Sequence, residues 1–250
     1  MHKRSLSIAG GNEGSPGRPA APSADEWTEF SSGSLAYIFP PGTELFQQGT
    51  PAQMVYLLKS GLVKLMRVEE DGQQMIVGLR SAGWLMGVES ALLQSPHPVT
   101  AVALTRCDFR CVQSSQFRKM VRDDARLSWK VHQVQSREVY SQVRQLSGLG
   151  CLSARHRLEQ FLWDLSAALK PAAQRREVRF QVPLRDWEVA QLIAVTSSYV
   201  CRLLKELEND GLLRRHKGWI ILSQPESLWH EPESETESSP IRPFGDAQGV

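Results

Sequence analysis

Residues 184–213, LRDWEVAQLIAVTSSYVCRLLKELENDGLL, decide how this chain is read. Val189, Ile193, Val200, Leu203, Leu204 and Leu207 recur at helical spacing and predict two helices separated by a tight turn. Ala190 is small where a second helix must cross closely, and Ala194 falls in the turn itself. Thr196 is a good N-cap for the second helix, because its hydroxyl can accept an orphan backbone N–H. Behind the cap, Ser197, Ser198, Tyr199, Arg202 and Lys205 are polar and face away from the apolar side. Reading base edges in a major groove requires a helix with that outward face.

An ordinary amphipathic helix pair has the same spacing, so the residues that follow carry the decision. Gly211 ends the second helix. Leu212 to Leu222 then reads as a strand, a basic tip with a glycine turn at Gly218, and a second strand. This is a wing, and Arg214, Arg215, His216 and Lys217 at its tip suit phosphate contact. Arg185, at the start of the first helix, is a further candidate for a phosphate.

At 250 residues the chain holds one large domain or two small ones. Its net charge of +2 creates no uniform field for nucleic acid, so the basic residues act locally. No apolar run approaches a membrane span, and the start lacks the apolar stretch of a signal peptide. Cys107, Cys111, Cys151 and Cys201 have no close spacing of the metal or redox type, which predicts a reduced cytoplasmic protein.

Residues 1–25 are rich in Gly, Pro, Ser and Ala and are expected to be a disordered tail. Over residues 26–113 short apolar runs alternate with turn residues: Tyr37-Ile38-Phe39, Val55 to Leu58, Leu62 to Met66, Met75 to Leu79 and Val99 to Leu104. Glu70-Asp71-Gly72 is a hairpin signal, and strands at such intervals indicate a β-sandwich or barrel. The period turns helical over residues 114–148, where Leu127, Val131 and Val134, then Val139, Val143 and Leu146, form a narrow seam suited to pairing with a second copy. Residues 149–228 hold another amphipathic helix, a loop from Lys170 to Glu177, a short strand, and the helix pair with its wing; residues 229–250 form an acidic tail expected to be disordered.

The order of these parts resembles the cyclic-AMP receptor protein / fumarate-nitrate regulator (Crp–Fnr) superfamily of bacterial transcription factors. The resemblance is carried by Pro41 to Gly49, Val55 to Gly61, Asp71 to Gln74, Arg157-Leu158 with Phe161-Leu162, and Val200 to Leu207 with Gly211-Leu212, and covers about Phe39 to Leu228. It implies an α+β chain: a cyclic-nucleotide-binding-like β-barrel (double-stranded β-helix), a long dimerisation helix and a C-terminal winged helix-turn-helix. It further implies a homodimer on pseudo-palindromic double-stranded DNA, and a loop at Lys170 to Glu177 placed where family members touch RNA polymerase.

The departures are informative. The resemblance puts an effector pocket at Gly87, Val88, Glu89, Val99, Thr100 and Gln142, but Val88 stands where cyclic-AMP-binding members carry Glu, and Pro98-Val99 where they carry Arg-Ser. No arginine occurs between Ser81 and Ala103, and a buried cyclic phosphate without a cation is costly. Cyclic AMP bound in the usual manner is therefore not expected, and the small-molecule effector stays unnamed, with no cofactor expected. An iron–sulfur cluster would need N-terminal cysteines, and the first here is Cys107. Cys107, Phe109 and Cys111 alternate onto one strand face and read as core rather than as a thiol sensor. On the recognition helix Ser197-Ser198 replace the family's Arg-Glu, while Arg202 matches its later arginine, so base preference should differ. Two alternatives are a barrel used only for assembly and, remotely, a cupin-type metalloenzyme; the latter needs clustered ligands, and His97 is the barrel's only histidine.

Overall fold

The computed structural model describes residues 23–24, 27–31, 33–169, 177–216 and 219–223. Most of the two expected tails, residues 170–176, and Lys217 with Gly218 lie outside the described residues. Folded contacts begin earlier than the strand-like pattern: Lys59 Nζ donates to the Ala24 carbonyl (2.6 Å), and the buried Trp27 donates its indole N–H to the Gly83 carbonyl (3.1 Å).

Eight short strands follow: β1 (Leu35–Phe39), β2 (Glu44–Phe46), β3 (Met54–Ser60), β4 (Val63–Val68), β5 (Gln74–Arg80), β6 (Leu85–Met86), β7 (Thr100–Ala103) and β8 (Cys107–Gln113). They form two four-stranded antiparallel sheets, β1-β8-β3-β6 and β2-β7-β4-β5. The expected barrel is thus not closed: among the described residues no hydrogen-bonded ladder joins the two sheets into a ring. The hairpin signal at Glu70-Asp71-Gly72 does join β4 to β5, with Glu69 N–H donating to the Gln73 carbonyl at 2.9 Å.

The run Val55-Tyr56-Leu57-Leu58 is continuously apolar because the β3 sheet is covered on both faces. Val55 and Leu57 pack outward against Trp27, Phe30 and the helices, while Tyr56 and Leu58 face the space between the sheets. Cys107, Phe109 and Cys111 share that inner space, and burial raises both thiols, Cys111 to about 12. A thiol held protonated this firmly is a poor nucleophile. Gly61 fits here only as glycine. Its φ is +103°, and a Cβ would stand 2.6 Å from the Arg106 carbonyl and from Cys107 Sγ.

Helix α1 (Val88–Leu93) crosses between β6 and β7. The helical stretch beginning at Ser114 is not one helix. It is α2 (Ser114–Asp123) and α3 (Ala125–Cys151), broken at Asp124, whose backbone is extended. Asp124 caps the second piece, its carboxylate accepting from the N–H groups of Arg126 (2.8 Å) and Leu127 (3.2 Å). The seam then divides in two. Leu127, Val131 and Val134 are buried against the sandwich, whereas Val139, Val143 and Leu146 project into solvent, Leu146 at 68% exposure. An ion pair between Arg80 and Glu138 marks where α3 leaves the sandwich.

The C-terminal module comprises α4 (Ala154–Leu169), β9 (Glu177–Gln181), α5 (Asp186–Leu192), α6 (Ser197–Asn209), β10 (Leu213–His216) and β11 (Trp219–Ser223), with sheet order β10-β11-β9. Its core of Leu158, Leu162, Val189, Val200, Leu203, Leu207, Leu213 and Leu222 also takes in Leu62 from the sandwich.

Removing the α3 cap by Asp124→Ala should lower unfolding stability by about 1 kcal/mol. Urea titration followed by circular dichroism measures it; an unchanged midpoint would mean the break needs no side-chain cap.

Candidate nucleic-acid interface

The two helices predicted from residues 184–213 are α5 and α6. Between them Ala194 takes a left-handed conformation (φ +52°), and Val195 N–H donates to the Ala190 carbonyl at 3.0 Å. An L-residue held there costs about 1–2 kcal/mol, so packing on both sides must over-determine the turn. Thr196 caps α6 as expected, its hydroxyl accepting from Tyr199 N–H at 3.3 Å. At the head of α5, Arg185 N–H donates to Glu188 Oε2 at 2.8 Å, leaving the exposed guanidinium free of any capping duty.

Val200, Leu203, Leu204 and Leu207 are buried, and the opposite side of α6 is open: Ser197, Ser198, Arg202 and Lys205 are exposed. Tyr199 is half-buried. Its ring packs on the module's core and carries the Arg202 guanidinium 4.3 Å from its centroid, so it braces the arginine on the outer face. Cys201 is a residue of this face that sequence reasoning passed over. Its exposed thiol donates to Asp186 Oδ2 at 3.3 Å, and that hydrogen bond holds its pKa above the ordinary thiol value.

The wing is basic but not bare. Arg214 pairs with Glu177, and Arg215 binds Glu208 twice, through its N–H (3.1 Å) and its guanidinium (2.8 Å). Behind the tip, Arg179 stacks over Trp219 at 4.6 Å.

Three further residues tie this module to the rest. Lys64 on β4 pairs with the buried Glu188 at 2.5 Å. Gln191 on α5 meets the free edge of β5 as a strand would, donating to the Gln74 carbonyl (3.0 Å) and accepting from Ile76 N–H (3.1 Å). Arg157 on α4 donates to the carbonyl of Leu152 (2.6 Å) at the end of α3 and to those of Ile193 (2.9 Å) and Ala194 (3.5 Å) in the turn.

The six residues considered for an effector pocket are dispersed. Val88 is buried in the cluster beneath α2 and α3, Glu89 is exposed, and Gln142 sits on α3 with its amide on Glu138 (2.8 Å). Thr100 Oγ accepts from Gln48 N–H at 3.0 Å, and Val99 packs between the sheets. Gly87 has φ +78°, and a Cβ there would stand 3.0 Å from the Met54 carbonyl and 3.2 Å from the His97 ring. From the exposed Tyr37 a row of rings leads in between the sheets through Phe39, Phe109, Tyr56, Phe46 and His97, with neighbouring centroids 4.0 to 6.1 Å apart. The half-buried Tyr56 donates to the Leu45 carbonyl (3.1 Å), and desolvation pushes its hydroxyl up to about 12. An apolar, ring-filled interior is a poor host for a cyclic phosphate. Among the described residues no group of three or more His, Cys, Asp or Glu is placed to hold a metal, and no helix is long and apolar enough to cross a membrane.

Comparison with known proteins agrees with this division. A cyclic nucleotide-binding domain model matches residues 38–124, and a Crp-like helix-turn-helix domain model matches residues 156–231. The chain is 27% identical over 199 residues to the cAMP-activated global transcriptional regulator CRP of Pasteurella multocida, covering 79% of this chain and 93% of that protein. It is 24% identical over 190 residues to the CRP-like protein Clp of Xanthomonas campestris pv. campestris, covering 74% and 82%. In fold it is similar to FixK2 from Bradyrhizobium japonicum (TM-score 0.67, 21% identity, 78% of this chain and 95% of that one). It is also similar to the c-di-GMP responsive global regulator CLP of Xanthomonas campestris (TM-score 0.66, 22% identity, 80% and 99%).

His97 offers a test of the filled interior. Burial lowers its pKa, so the folded chain keeps it neutral while the unfolded chain protonates it below about pH 6.5. Stability should therefore fall as pH drops through that value, and His97→Gln should remove part of the fall. Urea midpoints at pH 7.5 and 5.5 check this; equal slopes in the two proteins would show that His97 does not contribute.

Proposed function

Because the chain belongs to the Crp–Fnr superfamily of bacterial transcription regulators, and is a DNA-binding regulator and not an enzyme, we propose the following assignment of its parts. Residues 26–113 form a sensing-type sandwich, 114–148 the dimerisation segment and 149–228 the DNA-binding module. The protein acts in the cytoplasm as a homodimer on a pseudo-palindromic site, with its two α6 helices about 34 Å apart. The observation that carries this reading is the outer face of α6, polar throughout, capped by Thr196 and presenting Arg202 on the Tyr199 ring.

In this reading Ser197, Ser198 and Arg202 meet base edges. Arg185, Lys205, Arg214, Arg215 and Lys217 meet phosphates, and Tyr199 acts through Arg202. Dimerisation uses Val139, Val143 and Leu146, an apolar stripe at coiled-coil spacing that the isolated chain leaves in water. The loop of residues 170–177 is the candidate contact for RNA polymerase. The effector is not cyclic AMP held in the usual manner: Val88 and Pro98-Val99 replace the phosphate-holding residues, and rings fill the space between the sheets. The c-di-GMP responsiveness stated for the Xanthomonas relative makes cyclic dinucleotides a class to include when effectors are screened.

Arg202→Ala should weaken binding to the selected site by about 1–3 kcal/mol and relax preference at one base pair per half-site. Selection from random DNA followed by titration checks it; equal loss on every sequence would make Arg202 a phosphate contact. Neutralising Arg214 and Arg215 to Gln should shallow the plot of log affinity against log salt by less than the roughly 0.9 per phosphate contact of a free cation, since each already holds a carboxylate. Leu146→Glu should halve the mass in sedimentation and lower operator affinity at least tenfold. A Leu146→Glu protein that remains dimeric would place the self-association surface elsewhere.

A further inference from the structure

The geometry points to an effector site outside the sandwich: a cleft of about 420 Å³ between β5, the inward side of α3, α4 and the end of α5, which takes a small aryl or acyl carboxylate. The volume lies within the range of small-molecule pockets, and junctions between domains are where such pockets concentrate. Phe161 and Leu165 of α4, Leu79 of β5 and Ile193 of the turn give it apolar walls.

Its charge is set by Arg144, Arg157 and Asp164. Arg144 and Asp164 are already engaged in interactions of their own. Arg157 spends its hydrogen bonds on the carbonyls of Leu152, Ile193 and Ala194, so among the described residues its charge meets only neutral acceptors. A carboxylate is the group that completes such a guanidinium, because charge-assisted bonds are about twice as strong as those to neutral partners.

The cleft does not compete with the proposed dimer seam. Ser141, Arg144, Gly148 and Leu152 follow one another at intervals of three and four and share one side of α3. Val139 and Leu146 point to the opposite side, and of the seam residues only Val143 borders the cleft. An occupant that draws on Arg157 touches the residue joining the end of α3 to the turn before α6. The inference rests on the reading of the chain as an effector-gated DNA-binding regulator, and it supplies that reading with a site and a ligand class.

The test uses the full-length protein and 1-anilinonaphthalene-8-sulfonate, an anionic aryl probe, with N-phenyl-1-naphthylamine as the same ring system lacking the anion. Fluorescence titration should give one saturable sulfonate site per chain and at least tenfold weaker binding of the neutral amine. Gln145→Trp and Gln160→Trp, which fill the cleft from two different helices, should each weaken probe binding at least tenfold with unchanged circular dichroism and melting. The probe should also change operator affinity at least threefold in the parent protein and not in the filled variants. Wild-type titrations in both filled variants, equal affinity for the two probes, or loss of binding in Leu146→Glu instead would overturn the site. Probe binding that appears only below the concentration at which dimers dissociate would make a second copy the occupant and overturn it likewise. If the cleft binds the probe as expected but the protein recognises no DNA with or without it, the regulator reading fails while the site stands. If DNA recognition is sequence-specific and no probe enters the cleft, the site alone fails.

Discussion

A strand at the edge of a sheet exposes amide and carbonyl groups that must find partners, and the whole arrangement of this chain turns on how β5 finds them. The Gln191 side chain takes Gln74 and Ile76 as a neighbouring strand would, and Lys64 on the adjacent strand reaches Glu188 one turn earlier on the same helix. Glu188 in turn accepts from the Arg185 backbone at the start of α5. Edge satisfaction, ion pairing and helix capping therefore converge on one short helix, α5, and fix the orientation of α6 behind it. Hydrogen bonds to charged groups are worth roughly 1.5–3 kcal/mol where burial limits water, so the Lys64–Glu188 contact is a material part of that fixation. Breaking it from one side would leave a buried charge without a partner, a larger loss than the pair's net contribution.

The same logic separates the two halves of α3. Its first turns are held by apolar burial under the sandwich, and its later turns carry an apolar stripe that none of the described residues covers. One helix thus belongs first to its own domain and then to a partner. The Arg80–Glu138 pair sits at the boundary.

Much of this was legible in the residues themselves. The periodicity of residues 184–213 located α5 and α6, Thr196 announced its cap, and the alternation of Cys107, Phe109 and Cys111 placed them in the core. Four features were not legible, each for a physical reason. Asp124 breaks a helical pattern whose apolar period continues past it, because an extended capping residue leaves the stripe in phase. Nothing near Gln191 in the chain marks it as an edge partner, since Ile76 is 115 residues away. The arginines of the wing read as free cations, because Glu177 and Glu208 come beside them only after β9 and α6 have folded. Closure of the sandwich likewise depends on ladders between distant strands, which no local pattern encodes.

The position of the Arg80–Glu138 pair makes α3 a cantilever. From Glu138 to Leu152 the helix extends about 20 Å beyond that pair, at about 1.5 Å per residue. A tilt of roughly 5° about that fulcrum moves the Leu152 carbonyl by roughly 2 Å, by simple lever geometry on that length. The Arg157 hydrogen bond to that carbonyl is 2.6 Å long, so such a swing is enough to part it and free the guanidinium that steadies the turn before α6. A swing of that size would disturb no hydrophobic core and would still change a hydrogen-bond partner beside the groove-facing helix.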